Sequence, residues 1–264
     1  MSPGFYERPG LNIETYDLRA NPGDVAFFVE RARESGGPVL ELACGTGRIS
    51  WAVAAAGIQI TGLDRSPEML RVAESKRQEA GAAASERARF VSGDIAAFEL
   101  EQRFALIICP FRSFQMLLTV EEERACLAAA RRHLAPGGRL LIDLFDPLLD
   151  LLIPDGVAAK TSMRIGEPVR HPVSGNDVVV EALERKNDPL TQTFIERHRF
   201  RELAPNGRIV REEFETLSMR WIYRYEMRYL LELSEFDVEA EYSDFDGALP
   251  AYGREQIWLA RRRG

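Results

Sequence analysis

The chain has 264 residues, 45% hydrophobic and 28% charged, with a formal net charge of −7 at pH 7. That balance belongs to a globular protein with a sizeable core, and the acidic surplus disfavours a nucleic-acid backbone as partner, which wants a basic face. There is no signal-peptide core and no membrane-length apolar run, the three cysteines lack C-x-x-C spacing, and the three histidines lack metal-ligand spacing; a cytoplasmic protein with reduced thiols, no membrane partner and no metal is expected.

In chain order, Asn21-Pro-Gly-Asp24 followed by Val25, Phe27, Phe28 and Val29 predicts a helix opening near Asp24. Val39 to Ala43 is a short apolar strand with one acid, Glu41. Cys44 to Gly47 is a glycine-punctuated turn, and Ile49 to Ala56 is a helix stopped at Gly57. This is the first βα unit of a nucleotide-binding sheet, where Gly45 and Gly47 allow positive φ and close approach of a ligand to backbone. Ile58 to Leu63 is a second buried strand. Asp64 ends it 19 positions after Gly45, the spacing at which an acid grips ribose hydroxyls, so an adenosine ligand is expected. A dinucleotide pyrophosphate favours a third glycine, and that position is Ser50. The ammonium of a methionine moiety suits Glu41, whose alternative role is to cap a neighbouring loop.

Ser66-Pro67-Glu68 starts a helix that should run to about Ala80 and stop at Gly81. Ala88 to Ser92 is strand three, closed by Gly93-Asp94. Phe104 to Cys109 is strand four, a continuous apolar run fitting a central parallel strand. Thr119-Val-Glu-Glu122 is a capping box for a helix from Val120 to His133, ending at Ala135-Pro-Gly-Gly138. Arg139 to Phe145 is strand five, closed by Asp146. Residues 155–217 then alternate charged with β-branched and aromatic residues over Asp177–Lys186, Thr191–Leu203 and Arg208–Thr216. The turn Ala204-Pro-Asn-Gly207 supports an antiparallel insertion. A helix from Arg220 to about Leu233, with Trp221, Tyr225, Tyr229 and Leu233 as a buried stripe, precedes a terminal strand pair at Phe236–Tyr242 and Gln256–Ala260. The basic tail Arg261-Arg-Arg263 is too small for a nucleic-acid footprint.

Glu41-Leu-Ala43-Cys-Gly45-Thr-Gly47 resembles the first motif of class I S-adenosylmethionine-dependent methyltransferases, usually E/D-x-G-x-G-x-G, with Ala43 in place of the first glycine. The resemblance continues, in the family's order, through Gly62-Leu-Asp64-Arg-Ser-Pro-Glu-Met69-Leu, Gly93-Asp94-Ile95, Ile107-Ile-Cys109-Pro110-Phe-Arg-Ser-Phe-Gln115 and Leu134-Ala-Pro136-Gly-Gly138-Arg-Leu-Leu. It covers most of the first 147 residues. The implied fold is α/β: a doubly wound, Rossmann-like, seven-stranded methyltransferase sheet with an antiparallel terminal strand pair and an inserted antiparallel β subdomain. The corresponding domains are a cofactor-binding core at 1–154 with an N-terminal cover segment, the insertion at 155–217 as substrate lid, and 218–264 completing the core sheet.

The implied cofactor is S-adenosyl-L-methionine, released as S-adenosyl-L-homocysteine. The resemblance assigns its binding to Glu41, Ala43, Gly45, Thr46, Gly47, Arg48, Asp64, Arg65, Met69, Gly93, Asp94, Ile95, Cys109 and Pro110, with Met69 on the adenine ring and Asp94 on its amino group. Asp94 has the alternative of capping the next turn, and Met69 that of plain core packing. Tyr16, in a Tyr-Asp pair placed where relatives cover the cofactor, is a further contact or an aromatic packed on the sheet. Base-modifying relatives carry Asn/Asp-Pro-Pro-Tyr/Phe after strand four; Cys109-Pro110-Phe111-Arg112 lacks that polar clamp.

In-line methyl transfer needs positioning and exclusion of water, with no covalent residue. Acceptor-side candidates are Arg112, Phe114, Gln115, Asp146, His171 and His198, with Glu196 beside the last. The expected acceptor is a nitrogen or oxygen of a small molecule. Three rival readings stay open: a non-catalytic module holding the cofactor or its product, an RNA or protein methyltransferase, and an NAD-dependent oxidoreductase, the last opposed by Ser50 and the terminal strand pair. The oligomeric state is open, a homodimer included.

Overall fold

The computed structural model describes residues 5–19, 22–152 and 163–264, so the expected start of the insertion at 155–162 lies outside the described residues. Two single-turn helices, α1 (Leu11–Glu14) and α2 (Tyr16–Arg19), precede α3 (Pro22–Ser35). The chain divides into two units: an antiparallel unit of Met1–Asn21 with Leu148–Arg220, and an α/β unit of Pro22–Pro147 with Trp221–Gly264. The N-terminal segment therefore groups with the insertion, not with the core to which the sequence reading gave it. Its ties explain this. The Leu11 amide donates to Glu213 (2.7 Å), the Asn12 amide group to Glu215, and Arg8 to the Phe214 carbonyl (3.1 Å).

The α/β unit alternates strand and helix: β1 (Val39–Leu42), α4 (Arg48–Ala55), β2 (Ile60–Asp64), α5 (Pro67–Ser75), α6 (Ala82–Ser85), β3 (Ala88–Ser92), β4 (Phe104–Cys109), α7 (Val120–His133) and β5 (Leu134–Phe145). After the antiparallel unit, α8 (Arg224–Leu233), β11 (Phe236–Tyr242) and β12 (Glu255–Arg262) return to it. The sheet order is β11-β12-β5-β4-β1-β2-β3. The first five strands are parallel, β12 runs antiparallel to β5, and β11 antiparallel to β12. This is the expected seven-stranded sheet with its antiparallel terminal pair.

Both faces of the sheet are covered, which is why the central strands read as continuous apolar runs. Along β4, Phe104, Ile107 and Cys109 enter one core with Leu127 and Ala130 of α7 and Met227 and Leu231 of α8; Leu106 and Ile108 enter the other with Phe27 and Phe28 of α3 and Val53 of α4. The helix starts follow their caps. The Ser66 hydroxyl accepts the Met69 amide (3.2 Å) with Pro67 next to it, and Thr119 and Glu122 form the reciprocal box.

Three expectations need correction. The helix after Asp64 ends at Ser75, and the chain reaches Gly81 through turns. Strand five starts at Leu134, so Ala135 to Gly138 lie inside β5. The stripe Tyr225, Tyr229 and Leu233 is exposed, at 67%, 57% and 82%, whereas Met227, Leu230 and Leu231 are buried; Trp221 is buried but precedes the helix. Aromatic residues at four-residue spacing mark one face of a helix without saying which face packs.

In the antiparallel unit, β6 (Met163–Arg164), β7 (Val169–Arg170), β8 (Asp177–Asp188), β9 (Thr193–Leu203) and β10 (Ile209–Arg220) form a sheet of order β10-β9-β8-β6, with β7 also on β8. The predicted turn joins β9 to β10, where Gly207 has φ 79° and donates to the Ala204 carbonyl (2.8 Å). Charges pair across strands, as in Glu181 with Arg199 (2.9 Å) and Arg201 (2.7 Å), while Val178, Val180 and Phe200 pack with Phe5 and Leu11.

Close packing under the glycine loop yields a test. A Cβ at Gly62 of β2 would stand 2.8 Å from Sγ of the buried Cys44 and 2.9 Å from Cδ1 of the half-buried Phe90, so one of them has to shift. Gly62→Ala is expected to lower stability by about 1–3 kcal/mol, seen as a lower urea midpoint at unchanged slope.

Candidate cofactor and methyl-transfer site

In a doubly wound sheet, ligands bind beyond the carboxyl ends of the strands where the strand order reverses. Here that point lies between β1 and its neighbour β4. The loop after β1 carries three residues in the left-handed region, Ala43 (φ 55°), Gly45 (φ 55°) and Gly47 (φ 73°). Ala43, the departure from the glycine motif, therefore holds a conformation costing an alanine about 1–2 kcal/mol. Gly47 is also the N-cap of α4, and a Cβ there would stand 2.9 Å from Phe90 Cζ, so it fills a packing constraint as well as a turn.

Asp64 closes the loop from β2. Its Oδ2 accepts the Gly45 amide (2.8 Å) and its Oδ1 the Ser66 amide (2.8 Å). Burial raises its pKa and these amide bonds oppose the rise. An ionised carboxylate has about four acceptor sites, so the two amides leave capacity for a ribose diol. The Gly93 amide donates to the Asp64 carbonyl (3.0 Å), joining the ends of β2 and β3.

Glu41 is 2% exposed within β1, and its carboxylate accepts the Ser50 hydroxyl. Burial pushes its pKa up to about 8 against the pull of Ser50 and the Arg48 guanidinium. The serine at the third glycine position is thus the partner of the acid in the strand. Arg48 is held by Asp24 of α3 through two 2.6 Å bonds, and the Thr46 carbonyl accepts Lys76 Nζ (2.9 Å). Met69 is buried in the first turn of α5, and Arg65 is exposed beside Asp64. Asp94 is exposed and its Oδ1 accepts the Ala96 amide (2.8 Å), the turn-capping role weighed above. Ile95 is half-buried against the sheet core, while Cys109 and Pro110 are buried, the thiol pushed far up by burial.

The exit of β4 is built unlike the β1 loop. Phe111 (φ 59°) and Arg112 (φ 62°) are consecutive left-handed residues, and both amides donate to Asp143 of β5, at 2.8 and 3.2 Å. Asp143 is 2% exposed, and burial with the nearby Glu255 pushes its pKa up to about 7. The sequence reading missed it. The signal was available: an acid within the apolar run Leu140–Phe145, the same sign that singled out Glu41.

The acceptor-side candidates separate. Arg112 pairs with Glu255, and Phe111 is 40% exposed. Phe114 is fully buried in the sheet core, and Gln115, also fully buried, accepts the Phe145 amide (2.9 Å). Neither presents its side chain to solvent. Asp146 is buried and accepts from the Gly253 amide (2.7 Å) and from Gln256 (2.8 Å). Two acceptor-side candidates, His171 and His198, lie in the antiparallel unit, as does Tyr16, the further cofactor contact. Tyr16 stands edge-on to Tyr6 (5.4 Å). His171 accepts at Nδ1 from the Val173 and Ser174 amides, which puts the proton on Nε2, 2.9 Å from Glu14. His198 pairs with Glu196 and meets the Phe5 ring edge-on (5.0 Å).

Residues 39–138 match the family model described as a methyltransferase domain. Over those residues the chain carries a methyltransferase domain, and the sheet order is the one the resemblance to class I S-adenosylmethionine-dependent methyltransferases implies. The chain is 32% identical over 150 residues to the cypemycin N-terminal methyltransferase of a Streptomyces species, covering 55% of this chain and 58% of that protein. It is 30% identical over 165 residues to a ubiquinone biosynthesis O-methyltransferase of Xylella fastidiosa, covering 62% and 64%. It thus spans less than two thirds of the length of either curated relative. The solved CcbJ methyltransferase of Streptomyces caelestis shares the fold over 99% of both chains, with a TM-score of 0.81 at 23% identity.

Glu41 gives the site a pH dependence. With its pKa raised from the ordinary carboxylate range to about 8, its contribution to stability is full below the unfolded value and is lost as pH rises through about 8. Glu41→Gln has no such loss. Its urea midpoint is expected to gain on the wild type as pH is raised from about 5 to 8, and parallel curves would remove the buried, proton-holding glutamate.

Proposed function

We propose that the protein transfers a methyl group from S-adenosylmethionine to a nitrogen or oxygen of a small-molecule acceptor. The observation that carries this reading is the Asp64 carboxylate clamped to the Gly45 amide at the switch point of the sheet, with acceptor capacity left for a ribose. Glu41, buried beside the same loop, suits the methionine ammonium, and Met69 the adenine. When bound, the cofactor supplies a sulfonium methyl for in-line displacement. The chain has to orient the acceptor, keep water out and let its proton leave to solvent or a carboxylate.

One curated relative is named an N-terminal methyltransferase and the other an O-methyltransferase, which supports both acceptor atoms. The net charge of −7 supports a small molecule over RNA. No described helix is long and apolar enough to cross a membrane. Three buried free cysteines suit a reducing compartment such as the cytoplasm.

Calorimetric titration with S-adenosylmethionine, S-adenosylhomocysteine and NAD tests the cofactor: the first two are expected to bind, and NAD binding alone would overturn the reading. Asp64→Ala is expected to weaken S-adenosylmethionine binding by roughly 1.5–3 kcal/mol for each charge-assisted bond lost, about tenfold or more. Methyl-labelled S-adenosylmethionine offered with a free-amino-terminal peptide, glucosamine, alanine and a catechol then tests transfer. Label in an acceptor supports an enzyme. Tight cofactor binding with no labelled product across such a panel would favour the non-catalytic binding module.

A further inference from the structure

We propose that Asp143 is a positioning residue of the methyl-transfer site, its buried carboxylate holding the exit of β4 in the backbone geometry that this turn presents to the acceptor. The inference rests on the function proposed above and adds a residue to it. The switch point has two rims, the loop after β1 and the turn after β4. The first rim is tied by Asp64 and fits the cofactor, so the second faces what the cofactor reacts with.

That second rim has no glycine. Phe111 and Arg112 stand in consecutive left-handed conformations, a geometry L-residues avoid unless something outside the turn holds it. Asp143 accepts both of their amides from the neighbouring strand. The arrangement is a backbone nest filled by a protein carboxylate. It leaves the Phe111 ring 40% exposed, 6.0 Å from the Arg48 guanidinium, and turns the Arg112 side chain to Glu255. An asparagine would set an N–H donor against one of the two amides, so D143N loses half of the clamp with almost no change in volume.

The holding depends on ionisation. Facing Asp143 are the Phe111 and Arg112 amides and the Arg112 guanidinium from the turn, Glu255 from β12 and the Cys109 thiol at the end of β4. Above about pH 7 the carboxylate accepts both amides. As pH falls, the proton it takes up competes with them and the turn loosens.

The experiment uses the full chain, wild type and D143N. Amide proton shifts of Phe111 and Arg112 are followed by NMR from about pH 5.5 to 8.5, S-adenosylhomocysteine affinity by calorimetry, and steady-state kinetics with whichever probe of the panel above accepts methyl. In the wild type the two shifts are expected to titrate together near pH 7. In D143N that titration should vanish and the acceptor KM rise about tenfold, with kcat and S-adenosylhomocysteine affinity within about threefold. The acceptor's own ionisation affects both proteins equally, so the wild-type loss of acceptor binding below pH 7 should be absent from the variant. Shifts that stay flat in the wild type, or an unchanged acceptor KM in D143N, overturn the proposal. If D143N does not fold, the wild-type titration decides alone. A panel without turnover counts against the methyltransferase reading, and the amide titration still decides whether Asp143 holds the turn.

Discussion

A carboxylate at the dry end of a parallel sheet has to be given donors, and around the switch point of this protein three strands carry one each. Glu41 on β1 takes the Ser50 hydroxyl, Asp64 on β2 the amides of Gly45 and Ser66, and Asp143 on β5 the amides of Phe111 and Arg112. Burial pushes all three pKa values upward. The main chain that supplies these amides stands in left-handed conformations at Gly45, Phe111 and Arg112. Loop shape and pH sensitivity thus share one cause, the cost of an unsatisfied buried charge.

The two rims meet that demand differently. The β1 side uses glycines at two of its three left-handed positions, so its strain is low except at Ala43. The β4 side uses a phenylalanine and an arginine, which are strained there but carry side chains that glycine cannot supply. The antiparallel unit follows the same rule on polar groups. Glu215, 1% exposed on β10, is answered by Asn12 and the Tyr6 amide of the N-terminal segment, and that answer explains why residues 1–21 group with the insertion.

Much of this was legible in the chain itself. The parallel strands, the Ser66 and Thr119 caps, the turn at Ala204–Gly207 and the terminal strand pair come from local periodicity and turn chemistry, which act over a few residues. The glycine loop and Asp64 were legible because their spacing is set by a single βα unit. Phe114 and Gln115 were taken for acceptor-side residues because they follow β4, yet the helical turn Ser113–Met116 points them into the core. The exposed stripe of α8 misled for a related reason, since period alone does not say what lies opposite.

The amino-acid sequence by itself determined the α/β class, the succession of strands and helices in the first half of the chain and the glycine loop after β1, because these rest on periodicity and turn chemistry acting over a few residues. Only the tertiary structure decided which acids are buried and what answers them. Asp143 reaches residues 31 and 32 positions earlier, and Glu215 reaches one 203 positions away. Such pairings exist only once the sheets are assembled, since the strands between them carry no local trace of the register that brings donor and acceptor together.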